Sequence, residues 1–346
     1  MSQGDPRLVV QTAPFLRSGA TTPRVMRDVL LALLPVWAVS VWYFGISSLL
    51  VVSAATAGAV ATEWLLGARP RRASRGASLG DGSAVLTGVI LGLTLPPPMP
   101  LWMAFLGGVA GIGLGKLIWG GLGQNLFNPA LVGRAFLQAA FPTAITTWTA
   151  PGGPLALWGT NFAAPFLHPR VDIVTTATPL NLMKFEHRVT DWADLLRGQV
   201  AGSLGETSAA VIVLAGLYLL WRRAFDWRIP VSIFATVAAF SGVLHLVDPG
   251  RYASPAFMLL SGGLAFGALF MATDPVTSPL APRGAWAFGC GVGVLVVLIR
   301  VWGGMPEGVM YAILLMNAAT PLLERVTQPR PFGHGRPARA PAGGAH

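Results

Sequence analysis

Long apolar runs separated by short polar connections constrain this chain more than any other feature. Hydrophobic residues make up 53% of its 346 residues, and charged residues make up only 11%. Soluble domains carry about 25% charged residues, whereas runs of roughly 20 apolar residues are typical of membrane-spanning helices. The sequence therefore predicts an all-α integral membrane protein.

The apolar runs predict about ten transmembrane helices in two halves of five. They cover approximately residues 28–44, 47–66, 83–95, 101–119, 129–148, 208–221, 230–246, 256–272, 285–302 and 307–323. The third run of each half is interrupted by Gly and Pro, and two five-helix repeats enter the membrane from opposite sides. This pattern predicts two inverted five-helix repeats with broken third helices, an arrangement that places binding sites at the repeat interface. The alternative is that these glycines only let helices pack closely.

Arginine placement predicts the orientation, since positive residues concentrate in cytoplasmic loops. Arginines precede the first run, follow the second and sixth, and recur in the tail. The domains are then a cytoplasmic N-terminal segment (1–27), a first membrane repeat (28–148), an extracytoplasmic loop (149–207), a second membrane repeat (208–323) and a disordered cytoplasmic tail (324–346). Both termini are expected in the cytoplasm.

Charge and cysteine content exclude several kinds of site. The net charge of +10 comes almost entirely from arginines in short loops, which is a topology signal and not a nucleic-acid-binding face. The single cysteine, Cys290, cannot hold an iron–sulfur cluster or a structural zinc. No metal site is predicted, and any redox centre has to be a non-cysteine cofactor.

Several ordered phrases carry a resemblance to a known membrane family. They are Asp-Gly-Ser-Ala-Val-Leu-Thr-Gly at 81–88, Leu-Pro-Pro at 95–97, Asn-Leu-Phe-Asn-Pro-Ala at 125–130, Gly-Ser-Leu-Gly-Glu-Thr-Ser at 202–208, Ala-Thr-Asp-Pro at 272–275 and Pro-Glu-Gly at 306–308. In order and spacing the chain resembles the family formed by the D subunit of the Rnf electron-transport complex and the B subunit of the sodium-pumping NADH:quinone oxidoreductase. Its length and the opening of the third run favour the Rnf subunit.

The resemblance implies a covalent flavin. The family's attachment turn is usually Ser-Gly-Ala-Thr, and here Thr175-Thr176-Ala177-Thr178 stands in its place, followed by Pro179. The residue carried over is Thr178, which would bear FMN through a phosphoester on an accessible turn. Pro179 favours an extended backbone at the residue before it. A second, non-covalent flavin (riboflavin or FMN) is a further expectation, and no catalytic residue is assigned to the chain itself.

The resemblance also implies an assembly in the bacterial inner membrane. The partners would be the A, B, C, E and G subunits of the complex, which include iron–sulfur and NAD-binding subunits and a second covalent flavoprotein. The complex would couple electron transfer between ferredoxin and NAD to movement of Na⁺ or H⁺. Two other function classes remain open from the residues alone: a solute channel or transporter built from inverted repeats, and a structural scaffold for catalytic partners.

A competing threonine fits the common attachment motif better than Thr178 does. It is Thr21, in Ser18-Gly19-Ala20-Thr21. The arginine count places this segment in the cytoplasm, whereas the family's flavin transferase works outside it. Thr21 or Thr22 is instead expected to cap the first helix, with Pro23 at its first position.

Other polar residues allow both functional and structural interpretations. Arg134, inside an apolar run, is expected to face a second flavin, a carboxylate or the interface, because a charge in lipid costs about 2.5–3.5 kcal/mol. Asp274 and Glu307 are candidates for an ion or proton path, or for helix caps. Charges at Lys184, His187 and Arg188 could offset a flavin phosphate or form a solvated face. The glycines of 111–116 are expected to be a helix-packing surface and not a nucleotide loop.

Overall fold

The computed structural model describes residues 21–67, 79–165, 176–186, 188 and 190–328, and within them the regular structure is entirely helical. Thirteen α-helices are described: α1 Thr22–Leu66, α2 Ser83–Leu93, α3 Leu101–Ile112, α4 Pro129–Ala140, α5 Pro142–Ile145, α6 Pro179–Glu186, α7 Trp192–Arg197, α8 Ala209–Trp221, α9 Arg228–Val247, α10 Pro255–Leu260, α11 Leu264–Phe266, α12 Pro282–Trp302 and α13 Val309–Thr327. Two of them continue as π-helical turns, α3 over Gly113–Leu117 and α11 over Gly267–Met271. The all-α prediction is confirmed for these residues.

Four helices are long and apolar enough to cross a membrane: α1, α9, α12 and α13. Three shorter apolar segments, Ser83–Leu93, Leu101–Leu117 and Ala209–Trp221, lie where further spans were predicted. Each of the ten predicted runs thus contains helix. That the chain crosses the membrane ten times, and that its two halves are inverted repeats, stay predictions.

Helix α1 is a hairpin of two helical arms. Gly45 interrupts it with φ 63° and ψ −150°, a backbone conformation that favours glycine. The Ser40 and Ser48 hydroxyls lie 2.8 Å apart, although eight residues of straight helix would separate them by about 12 Å. The chain therefore folds back at Gly45, which agrees with separate first and second runs. A Cβ atom at Gly45 would lie 2.3 Å from Ala156 N, so the segment after α5 packs directly on the turn.

The predicted fifth run, 129–148, is not one continuous helix. Helix α4 ends at Ala140, Phe141 leaves the helical region with φ −135° and ψ 60°, and Pro142 starts the short α5. Proline has no N–H to donate to a preceding turn, and its ring disfavours helix at the residue before it. Two boundaries also differ: α1 begins at Thr22, before the predicted 28, and α13 continues to Thr327, into the predicted tail. The rest of that tail lies outside the described residues.

The predicted break in the eighth run is present. Helix α10 ends at Leu260, Ser261 is extended, and Gly262 has φ 65° before the chain re-enters helix at Leu264. The ends of helices leave backbone carbonyls without intrahelical partners. Arg300 of α12 supplies donors to two of them, Met258 O at 2.6 Å and Ser261 O at 2.9 Å. The broken helix is thus held by a buried arginine.

Glycines let α3 pack against the second arm of α1 and against α4. A Cβ atom at Gly108 would lie 2.1 Å from Ala55 O, and one at Gly111 would lie 2.9 Å from Pro129 O. The expectation that the glycines of 111–116 form a helix-packing surface is confirmed. The lysine that ends this stretch, Lys116, is buried and donates to Glu63 Oε1 and Ser83 Oγ, each at 2.6 Å.

Candidate functional site

A cavity of about 220 Å³ lies where the two predicted halves meet, and Thr178 forms part of its wall. Its lining residues come from both halves: Thr94, Leu131, Arg134, Gln138, Ile145, Thr146, Trp148, Thr178, Asn181, Glu206, Gly263, Phe266, Met271, Met305, Pro306, Glu307, Val309, Met310 and Tyr311. Small-molecule pockets are typically about 300–1,000 Å³. A ligand with a tricyclic ring would therefore extend beyond the mouth or displace a side chain.

Thr178 occupies the N-cap position of α6. Its Oγ1 accepts a hydrogen bond from the backbone N–H of Asn181 at 3.3 Å, the usual contact of an N-cap threonine. The preceding turn is fixed to the end of the first half, because Thr176 N donates to Trp148 O at 2.9 Å. The sequence therefore indicates the right kind of residue, a hydroxyl at a turn before a proline.

The expected exposure of Thr178 is wrong. The residue is only 8% exposed, whereas Thr176 and Ala177 are exposed. Leu180, two residues on, belongs to a small apolar cluster with Leu195 and Phe257, and this packing draws the start of α6 inward. Because Leu180 is packed in this way, Thr178 faces a cavity. A polar loop without such packing would leave Thr178 exposed to solvent. Thr175 lies outside the described residues.

The competing threonine, Thr21, stands at the N-cap position of α1 and is exposed. Its side chain makes no capping hydrogen bond, so the expected side-chain cap is wrong for Thr21, although Pro23 does lie in the first turn of the helix. It lines none of the cavity around Thr178.

Arg134 joins the two halves within the cavity. One guanidinium nitrogen donates to the carbonyl of Thr94, the residue that ends α2, and the other lies 3.3 Å from Glu307 Oε2. Of the partners expected from the sequence, the structure therefore shows a carboxylate. Helix α2 is continuous and ends at Leu93, so the break predicted within the third run is not seen there. Arg134 binds a carbonyl at the end of α2, just as Arg300 binds carbonyls at the end of α10.

Glu307 and Glu206 form an acidic pair beside this arginine. Glu307 Oε1 accepts from Gly263 N at 3.2 Å, in the break between α10 and α11. Glu206, in the connection before α8, reaches the same glycine, because a Cβ atom built on Gly263 would meet its Oε1. Burial, followed by the negative charge of Glu307, raises the pKa of Glu206 to about 8, and Arg134 opposes this rise.

The other predicted polar residues lie apart from the cavity. Lys184 of α6 donates to Met305 O at 3.0 Å and to Gly303 O, and burial lowers its pKa. Arg188 is exposed and pairs with Glu186 at 3.6 Å. Asp274 accepts from Val276 N at 3.2 Å and Thr277 Oγ1 at 3.3 Å, which holds a turn; no helix begins at this residue, so the helix-cap alternative is wrong. His187 lies outside the described residues.

Sequence reasoning assigned no role to Glu206 or Arg300. Arg300 carried the same signal as Arg134, an arginine inside an apolar run, and it is 4% exposed. Glu206 stands next to an apolar run within one of the family-like phrases. What the sequence could not indicate is that Glu206, Arg134 and Glu307 converge, because they are separated by long stretches of chain.

The cavity is suited by its chemistry to a flavin phosphoester. Thr178 Oγ1 lies at a helix N-terminus, where backbone N–H groups and the helix dipole favour an attached phosphate. Arg134 adds a positive charge to the same cavity. The apolar wall includes Leu131, Trp148 and Phe266, and Gln138 adds an amide. Apolar walls with a few polar groups are typical of cofactor sites.

Comparison with known proteins identifies the family of this chain. The family model described as NQR2, RnfD, RnfE matches residues 9–333. The chain is 39% identical over 341 residues to the D subunit of the proton-translocating ferredoxin:NAD(+) oxidoreductase complex of Clostridium ljungdahlii, covering 94% of this chain and 96% of that protein. It is 42% identical over 337 residues to the D subunit of the ion-translocating oxidoreductase complex of Stutzerimonas stutzeri, covering 91% and 93%. The chain therefore belongs to the NQR2, RnfD, RnfE family.

Proposed function

We propose that this chain is the membrane-embedded D subunit of an ion-translocating ferredoxin:NAD oxidoreductase complex and carries FMN covalently on Thr178. The names of its relatives support the complex. The observation that supports the attachment site is that Thr178, at an N-cap, faces a cavity shared by both halves of the chain. The flavin would supply the electron-transfer chemistry, and the chain would supply position and electrostatics.

The residues that would hold the cofactor have separate tasks. The Thr178 hydroxyl would form the phosphoester, and the first turn of α6 would stabilise the phosphate charge. Arg134 would offset negative charge in the cavity, and its salt bridge to Glu307 fixes its position. Trp148 and Phe266 would exclude water from the ring. The second, non-covalent flavin remains a separate proposal, tested by flavin released when the complex is denatured.

The proposed topology is ten spans in two inverted repeats, in the bacterial inner membrane, with both termini in the cytoplasm. The partners are the other subunits of the complex, including those with iron–sulfur and NAD-binding centres. Within the described residues, side-chain contacts between connections join segments predicted on the same side. Asn161 donates to Pro97 O at 3.0 Å on the proposed outer side, and Arg222 pairs with Asp28 at 3.0 Å on the inner side.

The test is the change Thr178→Val, which removes the attachment oxygen while nearly keeping the side-chain shape. We expect the denatured chain to lose its covalent flavin fluorescence in the gel, and the complex to lose electron transfer. Loss of the N-cap hydrogen bond costs about 0.5–2 kcal/mol, which a membrane-embedded chain should survive. Peptide mass mapping of the wild type should locate the flavin on the peptide that contains Thr178.

Thr176→Val is the matched control, because it alters an exposed hydroxyl two residues away on the same turn. Thr21→Val controls for the competing motif. Both variants should keep the fluorescent band. A fluorescent Thr178→Val chain would show that the site is wrong, and a wild-type chain without covalent flavin would refute the flavin proposal in favour of a channel or a scaffold.

A further inference from the structure

Two carboxyl groups with no role in the attachment itself face the same cavity as Thr178. Glu206 precedes α8 and Glu307 precedes α13, so they belong to different connections of the second half. Both line the cavity, and both reach the same break between α10 and α11: a Cβ atom at Gly262 would lie 2.9 Å from Glu307 Oε1, and one at Gly263 would lie close to Glu206 Oε1. Carboxylates brought together in this way disfavour each other's ionised form, so the pair favours holding one proton.

Gly263 fixes the position of this pair. Its backbone N–H donates to Glu307 Oε1 at 3.2 Å. A Cβ atom at residue 263 would lie 2.4 Å from Glu206 Oε1, so a side chain there would displace that carboxyl group. The break between α10 and α11 thus brings a backbone donor and an open space to the pair, and only glycine provides both.

Several charged and titratable groups lie around the pair. Arg134 of α4 lies 3.3 Å from Glu307, and Arg300 of α12 interacts electrostatically with both carboxyl groups. Tyr311 of α13 lines the same cavity, and Lys184 of α6 is bound to the Gly303–Met305 connection that leads to Glu307. With both arginines charged and one proton on the pair, these two arginines and two carboxyl groups carry a net positive charge. An electron added to a neighbouring group would lower the net charge around the pair by one unit.

We propose that Glu206 and Glu307 form a redox-linked proton site, which binds a further proton when the group carried by Thr178 receives an electron. This inference rests on the proposed function. The electron comes from a reduced flavin or iron–sulfur centre of a partner subunit. The proton comes from water outside the membrane and forms an O–H bond on a carboxylate oxygen of the pair. One negative and one positive charge enter the cavity together, and no other bond is made or broken.

The experiment is a potentiometric titration of the covalent flavin in the assembled complex at several pH values, with infrared redox-difference spectra recorded in parallel. In the wild type the midpoint potential should fall as pH rises, with close to one proton bound per electron. A carboxylic acid carbonyl band should appear on reduction. In Glu206→Gln the pH slope should fall by at least half and the band should be lost.

Gly263→Ala provides a second variant that keeps every charge and displaces Glu206. It should weaken the pH slope as well, so the proposal stays testable if Glu206→Gln does not assemble. Glu186→Gln is the matched control, since it removes an exposed carboxylate at the end of α6 whose side chain is 50% exposed. It should leave both slope and band unchanged.

The outcomes separate this inference from the proposed function. If covalent flavin is present but Glu206→Gln and Gly263→Ala keep the full pH slope and the carbonyl band, the proton site is refuted while the attachment site stands. If the wild-type chain carries no covalent flavin on Thr178, the proposed function fails and this inference fails with it.

Discussion

At the scale of single residues, the cavity depends on side chains whose neighbours lie far away in the sequence. The turn at Thr178 could be predicted, because a hydroxyl before Pro179 is a local pattern, whereas its role as the attachment site stays a prediction. The burial of Thr178 could not be predicted, because it depends on the packing of Leu180 against Phe257, which lies about 80 residues later in the chain. Arg134 could be predicted to need a partner, but the sequence left open which one. The convergence of carboxyl groups on it is a property of the fold.

The raised pKa of Glu206 gives a prediction about stability. A carboxyl group whose pKa is higher in the folded state stabilises the fold fully below its ordinary value, near 4.5, and loses that contribution as pH rises through about 8. We therefore expect the thermal unfolding midpoint of the purified chain in detergent to fall as pH rises from 5 to 9. Glu206→Gln, which is neutral throughout, should flatten this dependence.

The thermal unfolding midpoint of the variant is compared with that of the wild type at each pH, so that the contributions of other titrating groups cancel. Asp191→Asn serves as the control, because Asp191 is an exposed carboxylate in the same connection. It should shift the midpoint by a similar amount at every pH. An equally steep fall in Glu206→Gln would contradict a raised pKa at this residue.

At the scale of elements, glycine and proline decide where helices approach and where they end. The sequence located the break in the eighth run through its Gly-Gly pair, and that break is present. It missed the end of α4 at Ala140, because the apolar pattern continues across Phe141 and Pro142 and proline is well tolerated in the first turn of a helix. Hydrophobicity marks which segments are buried in the membrane, but backbone chemistry decides how far each helix runs.

The contact between α3 and α1 should be sensitive to a single methyl group. Gly108→Ala places a Cβ atom 2.1 Å from Ala55 O, a backbone atom that cannot move without shifting the helix. Overpacking of this kind costs about 1–3 kcal/mol. We expect a lower thermal unfolding midpoint in detergent for Gly108→Ala.

Gly304→Ala is the matched control, since nothing lies within 4 Å of a Cβ atom at that position. It should unfold close to the wild-type temperature. Equal midpoints for the two variants would mean that α3 packs less closely on α1 than the structure indicates.

At the scale of the whole molecule, sidedness is the property most accessible from the sequence, because arginine placement acts over entire loops. Contacts between connections agree with the predicted grouping of the loops into two sides, whereas the side that faces the cytoplasm stays a prediction. Tyr43 donates to Arg197 O at 2.9 Å on the proposed outer side, and Asn128 donates to Met271 O at 3.1 Å towards the inner side. The inverted symmetry of the halves stays a prediction, since only their third runs share a visible sequence pattern.

Reporter fusions test the proposed ten spans. Fusions after Arg223 and after Thr327 should report the cytoplasm, and fusions after Thr178 and after Gly250 should report the outside. The Gly250 fusion tests α9 as a separate crossing, because it and Arg223 flank that helix alone. A cytoplasmic signal at Gly250 would remove one span and reverse everything that follows it.

The burial of Thr178 has a consequence for the order of events during biosynthesis. Its cavity is walled by α4 from the first half and by the start of α13, which is synthesised long after Thr178 itself. In the finished molecule the hydroxyl is enclosed, whereas an enzyme that attaches a flavin has to reach it. Under the proposed function, attachment therefore belongs to a period before the chain has closed, or to a transient reopening of α6. The cofactor would be installed while the protein is still being built.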